Sequence, residues 1–274
     1  MKKNGKTLYS FLNKDFLSTR EGRAVRVLAE FNEPEYRFKH FGIQDTIVFF
    51  GSARTLSKAK ATERVKKLGR NPKTKAKELE QATRDLEMSR YYEDAVELAK
   101  RIAQWSAKHK LKYTLCSGGG PGIMEAANRG AKKAGASSIG LNIRLPFEQE
   151  ANPYISDHLN FEFHYFFVRK FWFVYLAKAI LIFPGGLGTL DEMMEVLTLV
   201  QTGRITKKMV IVLYGRSFWS QVLNFDHLVD TGMISAADLK LFEIVDSVDE
   251  AYAVVTKGLS RNQKATANKA LLKP

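Results

Sequence analysis

The stretch Pro184-Gly185-Gly186-Leu187-Gly188-Thr189-Leu190-Asp191-Glu192 limits what this chain can fold into more than any other part of it. It follows Ala179-Ile180-Leu181-Ile182-Phe183 directly, an apolar run with the length of a buried parallel strand. It leads into residues 190–201, which have the character of a helix. Gly185, Gly186 and Gly188 permit positive φ and let a ligand approach bare backbone. Thr189 is placed to cap the helix, whose first-turn amides would then point at an anion. The pattern predicts a phosphate cradle with the carboxylate of Glu192 fixed one turn inside the helix. The plain alternative is a tight strand-to-helix turn that holds nothing.

The rest of the chain repeats the strand-then-helix alternation. Strands are predicted at residues 46–50, 113–116, 138–143, 159–163 and 209–214, with a short edge strand at 241–245. Helices are predicted at 91–108, 164–176, 218–225 and 248–259. This order specifies the α/β class, a doubly wound (Rossmann-like) parallel sheet. The first strand ends in Gly51-Ser52-Ala53-Arg54. The second runs into Ser117-Gly118-Gly119-Gly120-Pro121-Gly122-Ile123-Met124-Glu125. Both turns fall at strand carboxyl ends, where open α/β sheets bind ligands. The second turn is not G-x-G-x-x-G, and the next strand ends in Asn142-Ile143 with no acidic residue to grip a ribose. A dinucleotide site is therefore disfavoured.

The helix at 164–176 is almost wholly aromatic and aliphatic, which predicts burial, in part within a subunit interface. Arg169-Lys170 stands in its middle, and a buried cation needs a partner. Either the pair snorkels to the surface, or Arg169 faces the glycine loop and Glu192. Cys116, the single cysteine, reads as a small core residue and excludes an internal disulfide framework. His158 and His164 receive no role.

The net charge of +14 raises the question of nucleic acid, and its distribution answers it. Residues 54–90 carry a net +7, residues 257–274 +5 and residues 1–41 +4, while all the remainder carries −2. The excess lies outside the glycine loops and reads as solvated surface. With no helix-turn-helix, zinc-finger or RNP pattern beside it, nucleic acid is not an expected partner. No apolar run approaches the ~18 residues of a membrane helix, and the basic start has no apolar core behind it. We expect a cytoplasmic protein without a membrane partner. The expected organisation is an N-terminal helical extension at 1–41, with a helix at 20–32 stopping near Pro34. A nucleotide-binding catalytic domain at 42–260 follows, interrupted by a charged helical insertion at 55–90, and then a basic tail at 261–274.

With these segments in place, the chain resembles the LOG (Lonely Guy) family of lysine decarboxylase-like Rossmann proteins. The resemblance rests on the P-G-G-x-G-T-x-x-E pattern at 184–192, the upstream Arg169-Lys170, the glycine loop at 117–125 and Gly51-Ser52. It extends over roughly residues 44–256. It implies a nucleoside 5′-monophosphate phosphoribohydrolase, acting on AMP-like or cytokinin riboside monophosphates and releasing free base and ribose 5-phosphate. By position it implies Arg169 and Glu192 as the catalytic pair. Gly185, Gly186, Leu187, Gly188, Thr189 and Asp191 would bind phosphate and ribose, with Thr198 and Glu148 flanking the ligand. Gly51, Ser52, Gly118, Gly119, Gly120, Met124 and Lys170 complete the expected binding set. The family's decarboxylase label implies pyridoxal phosphate, but no lysine stands in a recognisable Schiff-base context. We expect no cofactor, no metal, and at least a homodimer. Two other readings compete: a non-catalytic nucleotide or cofactor carrier on the same fold, and a basic interaction protein using residues 55–90 and the tail.

Overall fold

A computed structural model describes residues 2–3, 6–7, 9–70, 75–145 and 150–271. A two-residue antiparallel pair, β1 (Lys2–Lys3) with β2 (Lys6–Thr7), precedes α1 (Lys14–Ser18) and α2 (Arg23–His40). The alternating part begins with β3 (Asp45–Phe50), α3 (Lys58–Gly69), α4 (Ala76–Lys108), β4 (Tyr113–Ser117) and α5 (Ile123–Lys133). It continues with β5 (Ser138–Ile143), β6 (Asn160–Phe163), α6 (Phe166–Tyr175), β7 (Ala177–Ile182) and α7 (Leu187–Gln201). It closes with β8 (Val210–Tyr214), α8 (Arg216–Val222), α9 (Phe225–Asp230), β9 (Glu243–Val245) and α10 (Val248–Leu271).

Seven strands form one parallel sheet in the order β6-β5-β4-β3-β7-β8-β9. The chain winds outward from β3 in one direction and from β7 in the other. The topological switch point therefore lies between them, and a crevice opens there at the carboxyl ends. Alternate residues of each strand feed opposite faces. Ile47 and Phe49 join α4, α5 and α10 in one core, while Val48 and Phe50 join α2, α6, α7 and α8 in the other. Among the described residues no helix is long and apolar enough to cross a membrane.

Three expectations change. Helix α2 does not stop at Pro34 but runs through it for another six residues, with Pro34 buried. Proline interrupts the helical hydrogen bonding, yet the segment beyond it is held by packing. Phe38 meets Phe161 at 5.0 Å and Trp172 at 5.3 Å between ring centroids, and the Arg37 guanidinium lies 3.7 Å over the Phe161 ring. The charged insertion is not separate from the helix expected at 91–108, because both belong to the 33-residue α4. Its first half packs on α3 through buried Ala61 and Ala82 and an Arg64–Asp85 ion pair. Third, α6 is not wholly buried: Phe166, Phe167, Phe171 and Tyr175 are exposed, whereas Val168, Arg169, Trp172 and Phe173 face inward.

Candidate functional site

The glycine turns expected from the sequence meet at the switch point, and Gly51, Gly118, Gly119, Gly122 and Gly185 leave no room for a side chain. The amide of Ser52 donates to the Pro184 carbonyl (3.0 Å) and the amide of Ile123 to the Ser52 carbonyl (3.0 Å), so three loops are tied together. A Cβ on Gly51 would come within 2.7 Å of Ile123, and one on Gly122 (φ +68°) would strike the Ser52 carbonyl. Gly119 (φ +75°) lies against the Asn142 side chain. What fixes the Gly118–Gly120 turn was missed in the sequence reading. Buried Ser117, Asn128, Ser138 and Asn152 form a closed polar network. Within it, Asn152 Nδ2 donates to the carbonyls of Gly119 (2.9 Å) and Gly120 (3.1 Å), and Ser117 Oγ accepts from the Gly119 amide (3.1 Å). The available signal was Asn128 itself, an asparagine inside the otherwise apolar face of α5.

At the carboxyl end of β7 the chain turns through Pro184 and Gly185 into α7. The cap is Gly186 and not Thr189, which lies inside the first turn with its side chain buried against Gly185. Gly185 has to be glycine, since a Cβ there would collide with Thr189 Oγ1. Gly186, Leu187 and Gly188 are exposed. The first helical bond here is from the Leu190 amide to the Gly186 carbonyl (3.0 Å). The amides of Leu187, Gly188 and Thr189 thus have no acceptor among the described residues, as expected of helix termini, and the dipole at this end favours an anion.

Arg169 and Glu192 come together beside this terminus. Arg169 Nη1 lies 3.4 Å from Glu192 Oε1, Nε donates to the Leu141 carbonyl at 2.7 Å, and the guanidinium sits 4.8 Å over the Phe173 ring. The arginine is only 8% exposed. Space for it exists because residue 118 is glycine: a Cβ there would lie 2.6 Å from both Arg169 Nη2 and Met124 Sδ. Burial pushes the Glu192 carboxyl up to about 7, with Arg169 pulling the other way. Burial also lowers the Arg169 guanidinium, but an arginine keeps its charge near neutrality. The result is a carboxyl poised between acid and base at neutral pH, next to a fixed cation and free amides.

The remaining expected residues divide. Lys170 and Asp191 sit beside the pair but bind each other (2.7 Å), with Glu195 at 3.2 Å from the same ammonium. Although burial pulls Lys170 down, its hydrogen bonds to these two carboxylates dominate, and the ammonium is raised overall. This lysine stays protonated and does not fit a pyridoxal phosphate Schiff base. Thr198 lies further along α7, exposed, in a cleft with Phe225, Leu228 and Asp238, apart from Arg169 and Glu192. Glu148 lies outside the described residues. Cys116 is a buried core residue whose thiol is pushed up by burial. A cleft of about 190 Å³ borders the junction at Ser52, Arg54, Pro184 and Gly185, and another of about 630 Å³ opens beyond Asn142. Neither is lined by Arg169 or Glu192. The site nevertheless centres on that pair, because among the described residues it alone joins a carboxyl shifted to about 7 to a buried cation.

A sequence-family model described as "Possible lysine decarboxylase" matches residues 124–255, the segment from α5 to α10 that carries both Arg169 and Glu192. Over that segment the chain is similar to this family. Two named relatives align with about half of this chain. The cytokinin riboside 5'-monophosphate phosphoribohydrolase of Mycobacterium marinum is 28% identical over 147 residues, 53% of this chain and 78% of that protein. The cytokinin riboside 5'-monophosphate phosphoribohydrolase LOG of Oryza sativa subsp. japonica is 32% identical over 148 residues, 53% of this chain and 57% of that protein. Among solved structures, the molybdenum cofactor carrier protein of Chlamydomonas reinhardtii aligns over 79% of this chain and 99% of its own, at 18% identity and a TM-score of 0.44.

Proposed function

We propose that this chain hydrolyses the N-glycosidic bond of nucleoside 5′-monophosphates, releasing free base and ribose 5-phosphate. The observation that carries the proposal is the 3.4 Å approach of the buried Arg169 guanidinium to Glu192, next to a helix terminus with open amides. The names of the two relatives support the same reaction and substrate class.

In this mechanism the 5′-phosphate rests on the amides of Leu187, Gly188 and Thr189, and the ribose lies toward Glu192. Rupture of the C1′–N bond sends its electron pair to the base and leaves positive charge on the sugar, as in glycoside hydrolysis. The Glu192 carboxylate stabilises that cation and takes a proton from the water that attacks C1′. The leaving base takes up a proton, so water is divided between ribose 5-phosphate and the free base. Arg169 holds the substrate and favours ionised Glu192. Phosphate binding far from the bond positions the sugar for attack.

Incubation with AMP and the other monophosphates, followed by chromatography for free base and ribose 5-phosphate, tests the proposal. Release is expected from at least one nucleotide, and Arg169→Ala and Glu192→Gln are each expected to abolish it with circular dichroism unchanged. Full activity in both variants would refute the assigned pair. Tight binding of monophosphates with no release would favour a nucleotide carrier, which needs the amide cradle but not Glu192.

A further inference from the structure

Helix α6, which carries Arg169, has no cap of its own. Its N-cap residue is Tyr165, with no side-chain hydrogen bond to the first turn and no acidic residue in that turn. The two amides that lead into the helix find their acceptor in another part of the chain. Glu30, on α2 in the N-terminal extension, accepts the His164 amide on Oε1 (2.8 Å) and the Tyr165 amide on Oε2 (3.1 Å). Both carboxylate oxygens are therefore committed to the backbone entering α6, where a negative charge also suits the helix dipole. The same residue holds the helix a second time, because Trp172 Nε1 donates to the Glu30 carbonyl (3.2 Å). Its neighbours reinforce the grip: Arg26 Nε donates to the Tyr165 hydroxyl (3.2 Å), and the Phe31 ring packs edge-on against Phe171 at 5.2 Å. The Arg169 amide bonds to the Tyr165 carbonyl (3.2 Å), so the turn that Glu30 clamps is the turn that aims the guanidinium.

We infer that Glu30 is a positioning residue for the reaction, through which the N-terminal extension sets the placement of Arg169 against Glu192. The inference rests on the hydrolase reading for its kinetic consequence, but its electrostatic consequence is independent of it. The titratable groups facing Glu192 are Arg169 and Lys170 from α6, Asp191 and Glu195 from its own helix, and the neutral Cys116 thiol from β4. Both cations ride on the helix that Glu30 clamps. When the clamp loosens, the anionic neighbours stay in place while the cations drift, and the Glu192 carboxyl becomes harder to ionise.

The test compares the full-length protein with Glu30→Ala, which removes both acceptors, and Glu30→Gln, which keeps one and removes the charge. Three quantities are measured: amide exchange at 164–169, the Glu192 carboxyl titration by carbon-13 NMR, and kcat and KM for base release. In Glu30→Ala we expect the amides of His164 and Tyr165 to exchange roughly fivefold faster or more. The Glu192 midpoint should move upward, and kcat should fall on the order of tenfold or more, out of proportion to KM. Glu30→Gln should be intermediate, and it carries the test if Glu30→Ala does not fold. A merely structural role would lower stability but leave the titration and the kcat per folded molecule at their original values, and that result would overturn the inference. Should the unaltered protein release no base from any monophosphate, the hydrolase reading fails, while an upward or unchanged Glu192 midpoint still decides whether Glu30 positions Arg169.

Discussion

Glu192 is held in its ionisable state at a cost to the fold, and the size of that cost can be worked out. Its carboxyl titrates at about 7 in the folded chain against an ordinary value of 4.5, chiefly because it is buried. Between those two pH values the folded protein binds more protons at this position than the unfolded chain does. Stability contributed by the protonated form is therefore complete below 4.5 and is lost as pH rises through 7. At about 1.4 kcal/mol per pH unit, the gap corresponds to about 3 kcal/mol of destabilisation once both states are ionised. A glutamine has the shape of the protonated acid and never ionises. Glu192→Gln should consequently match the unaltered protein near pH 4.5 and exceed it by about 3 kcal/mol at pH 8. For a domain of this size that is a melting temperature higher by roughly 6–12 °C. Thermal and urea unfolding of the two proteins at both pH values measures the difference directly, without any substrate. Coincident unfolding at pH 8, or a less stable glutamine variant there, would refute the argument that Glu192 is buried against its own charge.

Two further outcomes are expected. Gly119→Ala places a side chain at φ +75° and against the Asn142 amide; it should cost about 1–3 kcal/mol in urea unfolding and disturb the glycine turn. The exposed row Phe166, Phe167, Phe171 and Tyr175 on α6 is the surface we expect a second copy of this chain to cover. Sedimentation equilibrium should then report a dimer that Phe167→Glu weakens, and a monomer at every concentration would remove that expectation.

Much of this architecture was legible because its physical causes are local. An apolar pentapeptide followed by glycines and a helical pattern marks a buried parallel strand that turns directly into a helix, and β7 into α7 is that unit. The convergence of Arg169 and Glu192 was legible for a second reason: a cation within an apolar helix needs a partner, and an acid one turn past the glycine loop was available. Local rules failed where long-range packing outweighed them. Thr189 is a better intrinsic cap than Gly186, yet its side chain is used to fill the space that glycine leaves at 185. Pro34 should have ended α2, but Phe38 and Arg37 beyond it are anchored on Phe161.

The same contest governs the N-terminal extension. Residues 23–40 carry no glycine loop or catalytic motif, and a lone glutamate on an amphipathic helix is ordinarily a solvated charge. Its significance comes from the other partner, because α6 begins with aromatic residues that cannot accept a hydrogen bond from their own amides. A helix built of Phe-Phe-Val-Arg-Lys-Phe-Trp-Phe can bury one face against the sheet and direct Arg169 inward, while the amides of His164 and Tyr165 that lead into it are satisfied from elsewhere. That need is visible only once α2 is seen lying across α6 with both Glu30 oxygens on the entering backbone. An apolar helix with an inward cation and no acceptor of its own at its entry is met here by an acidic side chain from a distant segment. In the proposed reaction that segment acts on the placement of Arg169 without touching the substrate.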